Sequence, residues 1–372
     1  MTNVLYIVIA SQDFESANHH NLWLEMAEQS GEEVLVCNIH ADHVVSRLKH
    51  KTYRIKEAKS APVRKSEHLR VMRPLLWIRQ ELLPESMYWM ARKGFWDSVT
   101  KVIPDVMSRE VKLLVYNACW VPILYGSHPN MKIGYYLFDE VRYSDNECHI
   151  NKKTYRHDEF ACKYSDVVFT MTKVLTQSRS VYNKNIITLG NGSILPNDDK
   201  LPAIRFDRSI AFIGVFRDWI DNDLLYNLIS RRPDILFSFA GPVNPNMEEF
   251  FHRILNDFDN TMYLGVVPKD RMTMLYRKFS GVIIPYQRNA FIQATRPIKI
   301  VESVMAGTPV VTMPMDGYDE CEYIRFANNI DEFSDQIDYI INHPIDRDSP
   351  LYKDFVRENT WREKASVILK NL

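Results

Sequence analysis

The segment RPIKIVESVMAGTPVV, residues 296–311, places a lysine and a carboxylate three positions apart, Lys299 and Glu302, in a run that is otherwise mostly apolar. On a helix both side chains emerge on one face near the N-terminus. Thr295 is placed to cap that helix, Pro297 falls in its first turn where a missing N–H costs nothing, and Gly307 supplies a left-handed stop. Ile298, Val301, Val304 and Met305 follow at helical spacing and predict packing against a sheet. A helix N-terminus at a strand's carboxyl end attracts anions, because free N–H groups and the dipole point at the same spot. Lys299 adds a full charge suited to a diphosphate, and Glu302 can accept hydrogen bonds from ribose hydroxyls. The same spacing also suits a surface Glu–Lys pair on a packing helix.

The elements that must position such a helix alternate along the chain. Apolar runs of strand length at 3–10, 33–39, 112–117, 131–138, 166–171 and 185–189 are separated by helical patterns, and a second series follows at 209–213, 235–240, 261–264, 281–285 and 309–313. This alternation predicts βαβ units and parallel sheets covered on both faces. The stretch LPNDDKLPAIRFD has three acids, two prolines and no periodicity, which marks a linker at 195–208. The organisation expected is an N-terminal domain at 1–194, a second domain at 209–345 and a helical segment at 346–372. Two doubly wound domains facing across a cleft would each offer ligand contacts at the carboxyl ends of their strands.

Composition narrows the class. Hydrophobic residues make up 46% and charged residues 25% of 372, a globular balance that excludes a disordered chain and is long enough for two domains. No run approaches the ~18 apolar residues of a membrane span. The first apolar run lacks a basic leader and a cleavage site, so it does not read as a signal peptide. Five cysteines without framework spacing point to reduced thiols and a cytoplasmic setting. Cys148, His149, His157 and Cys162 match no common zinc pattern and read as a helical face with a buried thiol. The Asp-x-Asp at 257–259 precedes a strand rather than following one, so it is not expected to hold a divalent ion.

The net charge of −1 hides an asymmetry: from Arg47 to Arg79 eleven Lys or Arg stand against Glu57 and Glu67, so the window is +9 and the remainder −10. Trp77, Trp89, Phe95 and Trp96 accompany it. A solvated basic face over a helical core is one reading, and an anionic membrane surface bound through residues 47–96 is the sharper one. Nothing matches a nucleic-acid module, and no nucleic-acid partner is expected.

The segment 296–311 resembles the nucleotide-sugar-binding segment of GT-B glycosyltransferases of the family-4-like kind, which read Pro-x-Lys-x-x-Glu, then Ala-Gly, then Pro-Val-Val. The likeness continues through IAFIGVFRDWIDNDLL, RRPDILFSFAGP and NTMYLGVVPKDRMTMLYRKFSGVIIPY in the second domain, and through GYYLFDEV, KYSDVVFTMTKVLTQ and IITLGNGS in the first. It covers most of residues 110–315, and the subset similar to xanthan-type glucuronosyltransferases and teichuronic-acid transferases is nearest in kind. Two departures stand out. Ala294 occupies the position at which many retaining members carry a first glutamate, and SQDFESANHH replaces the usual glycine-rich turn after the first strand.

The resemblance implies a GT-B transferase that moves a sugar from a nucleotide diphosphate sugar, a UDP-sugar by preference, to a hydroxyl of a lipid-linked or cell-surface glycan, with 1–194 as the acceptor-binding domain and 209–345 as the nucleotide-sugar-binding domain. Gly214 and Arg217 would meet the diphosphate with Lys299, while Gly241, Val266 and Val267 line the nucleotide, and Tyr286 covers the nucleotide or sugar. Arg296, Ile298 and Glu302 complete the donor set. Asp139 follows the run KIGYYLF directly, at the end of a strand where an inverting transferase needs a base, with Glu140 and His20 behind it. A capping or loop aspartate is the plainer role for Asp139. No cofactor or metal is required, since cations and helix N-termini can stabilise the departing diphosphate. The rival readings are a UDP-sugar 2-epimerase of the same fold and a non-catalytic sugar-binding or membrane scaffold protein.

Overall fold

The structure is a computed structural model that describes residues 4–10, 14, 19–39, 62–74, 80, 83–143, 150–195 and 206–372. The chain divides into two compact units. The first is built on an eight-stranded sheet in the order β3-β4-β2-β1-β5-β6-β7-β8. Its strands are β1 Val4–Ala10, β2 Glu33–Asn38, β3 Val63–Arg64, β4 Leu69–Met72, β5 Glu110–Val115, β6 Met131–Leu137, β7 Val167–Thr170 and β8 Ile186–Thr188. All neighbours run parallel except the edge pair β3 and β4. The continuous apolar runs of β1, β2, β5 and β6 are buried, as expected of strands sandwiched by helices.

The second unit carries a six-stranded parallel sheet, β11-β10-β9-β12-β13-β14. Here β9 is Ser209–Ile213, β10 Leu236–Ala240, β11 Thr261–Tyr263, β12 Gly281–Ile284, β13 Val310–Thr312 and β14 Ile324–Phe326. The order reverses between β9 and β12, as in doubly wound dinucleotide-binding folds, so the crevice beyond those two strand ends is the place for a ligand. A core of Phe212, Phe216, Phe237, Phe239, Val282 and Val301 lies against the sheet.

Every strand run expected from the sequence is present, and three short strands, β3, β4 and β14, were not foreseen. The expected single segment at 346–372 is corrected: it splits at Thr360. The helix Pro350–Glu358 stays with the second unit, where the Tyr352 hydroxyl donates to the Met305 carbonyl at 2.7 Å. Trp361–Leu372 belongs to the first, where its helix packs on His20–Ser30 and the Trp361 ring lies 5.3 Å from that of His19. Apolar spacing alone does not tell a helix which sheet it will cover. Of the linker, positions 196–205 lie outside the described residues.

The basic window is only partly described. Residues 47–61 and 75–79, with Trp77, lie outside the described residues. Phe95 and Trp96 are corrected from surface to core: Phe95 is buried against Trp120, and the Trp96 indole donates to Ser127 Oγ at 2.9 Å. They sit on the inward stripe of the helix Tyr88–Val102, where apolar burial outweighs any headgroup role. Trp89 is 60% exposed. No helix among the described residues is long and apolar enough to cross a membrane.

Candidate functional site

The quoted helix runs Ile298–Ala306, with Gly307 closing it in the left-handed conformation at φ 87°. Its N-terminus differs from expectation. Pro297 is the capping position, no side chain caps the helix, and the Thr295 hydroxyl turns back to the Ile292 carbonyl at 2.8 Å. The first-turn amides are thus left uncapped by side chains. Ile300, Val301, Val304 and Met305 are buried, Ile298 is half-buried, and Lys299 and Glu302 lie on the partly open side.

The chain leaves β9 through Gly214 (φ 149°) and β10 through Gly241 (φ 128°), both in backbone conformations that side chains disfavour. A Cβ on Gly241 would come within 2.1 Å of the Gly214 carbonyl oxygen, and a Cβ on Gly214 within 2.3 Å of Lys299 Nζ. The glycines therefore stack loop on loop and admit the lysine amine over the end of β9. Lys299 Nζ donates to the Tyr286 hydroxyl at 2.8 Å and lies 4.9 Å from the Phe212 ring centre. Tyr286, at the end of β12, is buried with its ring against Phe212 and Trp219. It holds the lysine in place rather than covering a nucleotide, a correction that follows from its burial.

Glu302 does not pair with Lys299. It accepts the Tyr276 hydroxyl at 3.1 Å, and burial raises its pKa, opposed by that hydrogen bond and by the charges of Lys299 and Lys269. Arg217 stacks on Trp219 at 3.9 Å, with its Nε 3.2 Å from Asp218 Oδ1. Gly265 accepts the Gly241 amide at 2.9 Å; Val266 is exposed and Val267 half-buried. Arg296 is drawn elsewhere: it donates to the Gly317 carbonyl at 2.8 Å and to Asn359 Oδ1 at 3.1 Å, and stacks on Tyr318. Its two terminal nitrogens hold the start of the helix, while its Nε is buried without a hydrogen-bond partner.

In the first unit Asp139 lies just past β6. Its Oδ1 accepts the Glu140 amide at 3.0 Å. Burial lifts its pKa to about 6 against that hydrogen bond, with the Glu140 charge adding to the rise. Glu140 is withdrawn as a base. Both of its oxygens accept from Arg179, whose Nε reaches Asp158 Oδ2 at 3.2 Å; Asp158 also takes Arg142 Nε at 2.7 Å and the Tyr135 hydroxyl at 3.0 Å. Such a buried, hydrogen-bonded ion network ties both carboxylates to arginine and to the fold.

His20 opens its helix half-buried, 5.8 Å from the Phe14 ring. It is His19, not the expected His20, that faces the aromatic residues Tyr116, Tyr136 and Trp361. Burial lowers its pKa to about 4, and its Nε2 is buried without a hydrogen-bond partner. Among the described residues no three His, Cys, Asp or Glu side chains gather as a metal cluster; Cys148 and His149 lie outside them, and the His157 ring bonds the Tyr88 hydroxyl at 2.8 Å.

These two candidate sites, each at the carboxyl ends of its own unit's sheet, mark a pair of Rossmann-like domains, and comparison with solved structures bears the fold out. Sucrose-phosphate synthase from Thermosynechococcus elongatus superposes with a TM-score of 0.71 over 98% of this chain and 97% of its own, at 13% identity. HepE from Anabaena, solved with UDP and glucose, gives 0.65 over 100% of both chains at 11% identity. The chain therefore has the GT-B fold. In sequence, TuaH of Bacillus subtilis, named as a teichuronic acid biosynthesis glycosyltransferase, is 26% identical over 102 residues, 27% of this chain. That match spans only 25% of the relative's length. No family model matches the chain.

Proposed function

We propose that the protein is a glycosyltransferase that uses a nucleotide diphosphate sugar, a UDP-sugar in preference, and passes the sugar to a hydroxyl of a lipid-linked or cell-surface glycan. The observation that carries the reading is Lys299: an amine held by the neutral hydroxyl of Tyr286 at 2.8 Å, at the uncapped N-terminus of a helix beside the reversal point of a parallel sheet. Glycosyltransferases sharing the fold, one of them solved with UDP, support the choice of donor. The relative named for teichuronic acid biosynthesis supports a glycan product, and the transfer is read as hexosyl or glucuronosyl.

In this reading the acceptor hydroxyl attacks the anomeric carbon, its proton passes to Asp139, and the bond to the diphosphate oxygen breaks. The charge that appears on UDP is met by Lys299 and the helix N-terminus, with Glu302 on the ribose and Arg217 as a second cation swinging from Trp219. No metal is required, and EDTA should leave turnover unchanged. Calorimetry with UDP, together with UDP release measured with and without acceptor, tests the reading. A chain that binds no UDP overturns it, and UDP-sugar epimerisation without UDP release would favour the epimerase.

The reading extends to an anionic membrane surface as a partner for residues 47–96, on the strength of the +9 balance between Arg47 and Arg79. Co-sedimentation with anionic vesicles should fall with salt and with joint neutralisation of Lys49, Lys51, Arg54 and Lys56. Equal binding to neutral vesicles, or none to either, removes that partner.

A further inference from the structure

Glu302, the carboxylate assigned to the ribose, lies three residues beyond Lys299 on the partly open side of its helix, about 4.5 Å further along the axis. A free glutamate side chain samples many rotamers, and a ligand that has to order it loses affinity in doing so. Here the ordering is done beforehand. Tyr276 ends the short helix Met272–Tyr276, is 1% exposed, and donates its hydroxyl to Glu302 Oε2 at 3.1 Å.

Further bonds fix the tyrosine itself. Thr308 Oγ1 donates to the Tyr276 carbonyl at 2.9 Å, and the next residue, Arg277, donates Nε to the Ala306 carbonyl at 3.1 Å. Thr308 is held in turn from the helix, since Ser303 Oγ donates to its carbonyl at 2.8 Å. Thr308, Arg277 and Ser303 are all buried. The two helices are thus clamped at the main chain of Tyr276, and its ring spans from that clamp to the carboxylate.

The hydroxyl holds the carboxylate without using it up. An ionised carboxylate has about four lone-pair sites, and one phenol takes one of them, so acceptor capacity remains for the hydroxyls of a ribose. Tyr276 stays a neutral donor, because burial and then the Glu302 carboxylate push its pKa well above 10. Its hydrogen bond also favours the ionised form of Glu302, against the effect of burial and together with the charges of Lys299 and Lys269. We propose that Tyr276 is a positioning residue for the donor's ribose: it holds Glu302 in the orientation that accepts the ribose hydroxyls, and so sets a preference for ribonucleotide over deoxyribonucleotide donors. The proposal rests on the glycosyltransferase reading above. A deoxyribonucleotide leaves the ordered carboxylate desolvated and without its partner, which is the costly case.

Calorimetry on the full chain with UDP, 2′-deoxy-UDP and 3′-deoxy-UDP tests it. The unaltered protein should bind UDP roughly tenfold or more tightly than at least one deoxy form, the effect expected of a hydrogen bond to a charged group. Tyr276→Phe keeps the buried ring and removes the hydroxyl. It should lower that ratio about threefold or more by weakening UDP, with deoxy affinity within about twofold of the unaltered value. Glu302→Ala should abolish the ratio, and adding Tyr276→Phe to it should change the ratio no further, because a positioning residue has no effect once the group it positions is gone. Thr308→Val, which releases the Tyr276 carbonyl, should act in the same direction and covers the case in which Tyr276→Phe misfolds. The proposal is overturned if Tyr276→Phe weakens UDP and its deoxy forms equally, the mark of a structural role, if the ratio does not move, or if the two substitutions add. Failure of the donor reading shows separately, as absence of UDP binding in the unaltered chain, whereas UDP binding without ribose discrimination keeps that reading and removes the proposal.

Discussion

The two units hold the charge at their candidate sites in opposite ways. In the second unit the Lys299 amine rests on a neutral tyrosine and the face of Phe212, and no ion pair neutralises it among the described residues. In the first, Glu140, Arg179, Asp158 and Arg142 neutralise one another, and Asp139 is left over beside them with its pKa lifted to about 6. Burial alone therefore does not mark a working group. A charge already matched by its neighbours maintains the fold, and a charge left unmatched has something to gain from a ligand or a proton.

The comparison breaks most visibly at Asp139. Asparagine keeps the shape and removes the base, so Asp139→Asn should lower turnover by roughly 10² to 10⁴ with little change in UDP affinity. Because the proposed base must be ionised, the rate of the unaltered protein should fall as pH drops through about 6, and that limb should vanish in the variant. Near-normal turnover would move the base elsewhere. Arg179→Met probes the matched side. It leaves Glu140 without an arginine side chain and Asp158 with Arg142 alone, and should cost about 3–5 kcal/mol in chemical denaturation. A loss near zero would show that the network is ornamental to the fold.

The extent to which this contrast was legible beforehand depends on the scale of the signal. Strands such as β1 and β12 are continuous β-branched or apolar runs, and the glycine stop at Gly307 has a backbone requirement that few other residues meet. Lys299 stood out for the same reason, as a charge in an apolar helix. What stayed hidden was set by tertiary partners. Nothing in the sequence around Glu140 shows that Arg179, at the end of the helix Lys173–Arg179, will take both its oxygens, or that Arg296 will be drawn to Gly317 and Asn359. The choice of His19 over His20 needed only the ring's direction, which adjacent identical residues cannot reveal. β3, β4 and β14 were too short, and in part too rich in arginine, for a period to register.

Lys299→Ala sharpens the unmatched side. Removing a charged partner from a largely dry site should weaken UDP or the transition state by about 2–4 kcal/mol, read by calorimetry and by kcat/KM. Fold stability should fall by no more than about 1–3 kcal/mol, because the amine gives up one hydrogen bond to Tyr286 and no ion pair. Unchanged UDP affinity and unchanged kcat/KM together would sink the assignment.

The smallest effect concerns stability at the base itself. Burial raises the Asp139 pKa from 3.8 to about 6, so the folded state holds this carboxyl's proton more tightly than the unfolded chain does. Its contribution to stability is then fully present below pH 4 and is lost as pH rises through about 6. Asparagine has no charge to bury. Asp139→Asn should therefore match the unaltered protein near pH 4 and exceed it by about 1–3 kcal/mol above pH 7, from the ~1.4 kcal/mol that each unit represents. Denaturation of both proteins across that range reads the difference directly. A variant that is less stable at every pH would mean that the carboxylate is matched by a partner after all, and Asp139 would then belong with Glu140 among the groups that hold the fold.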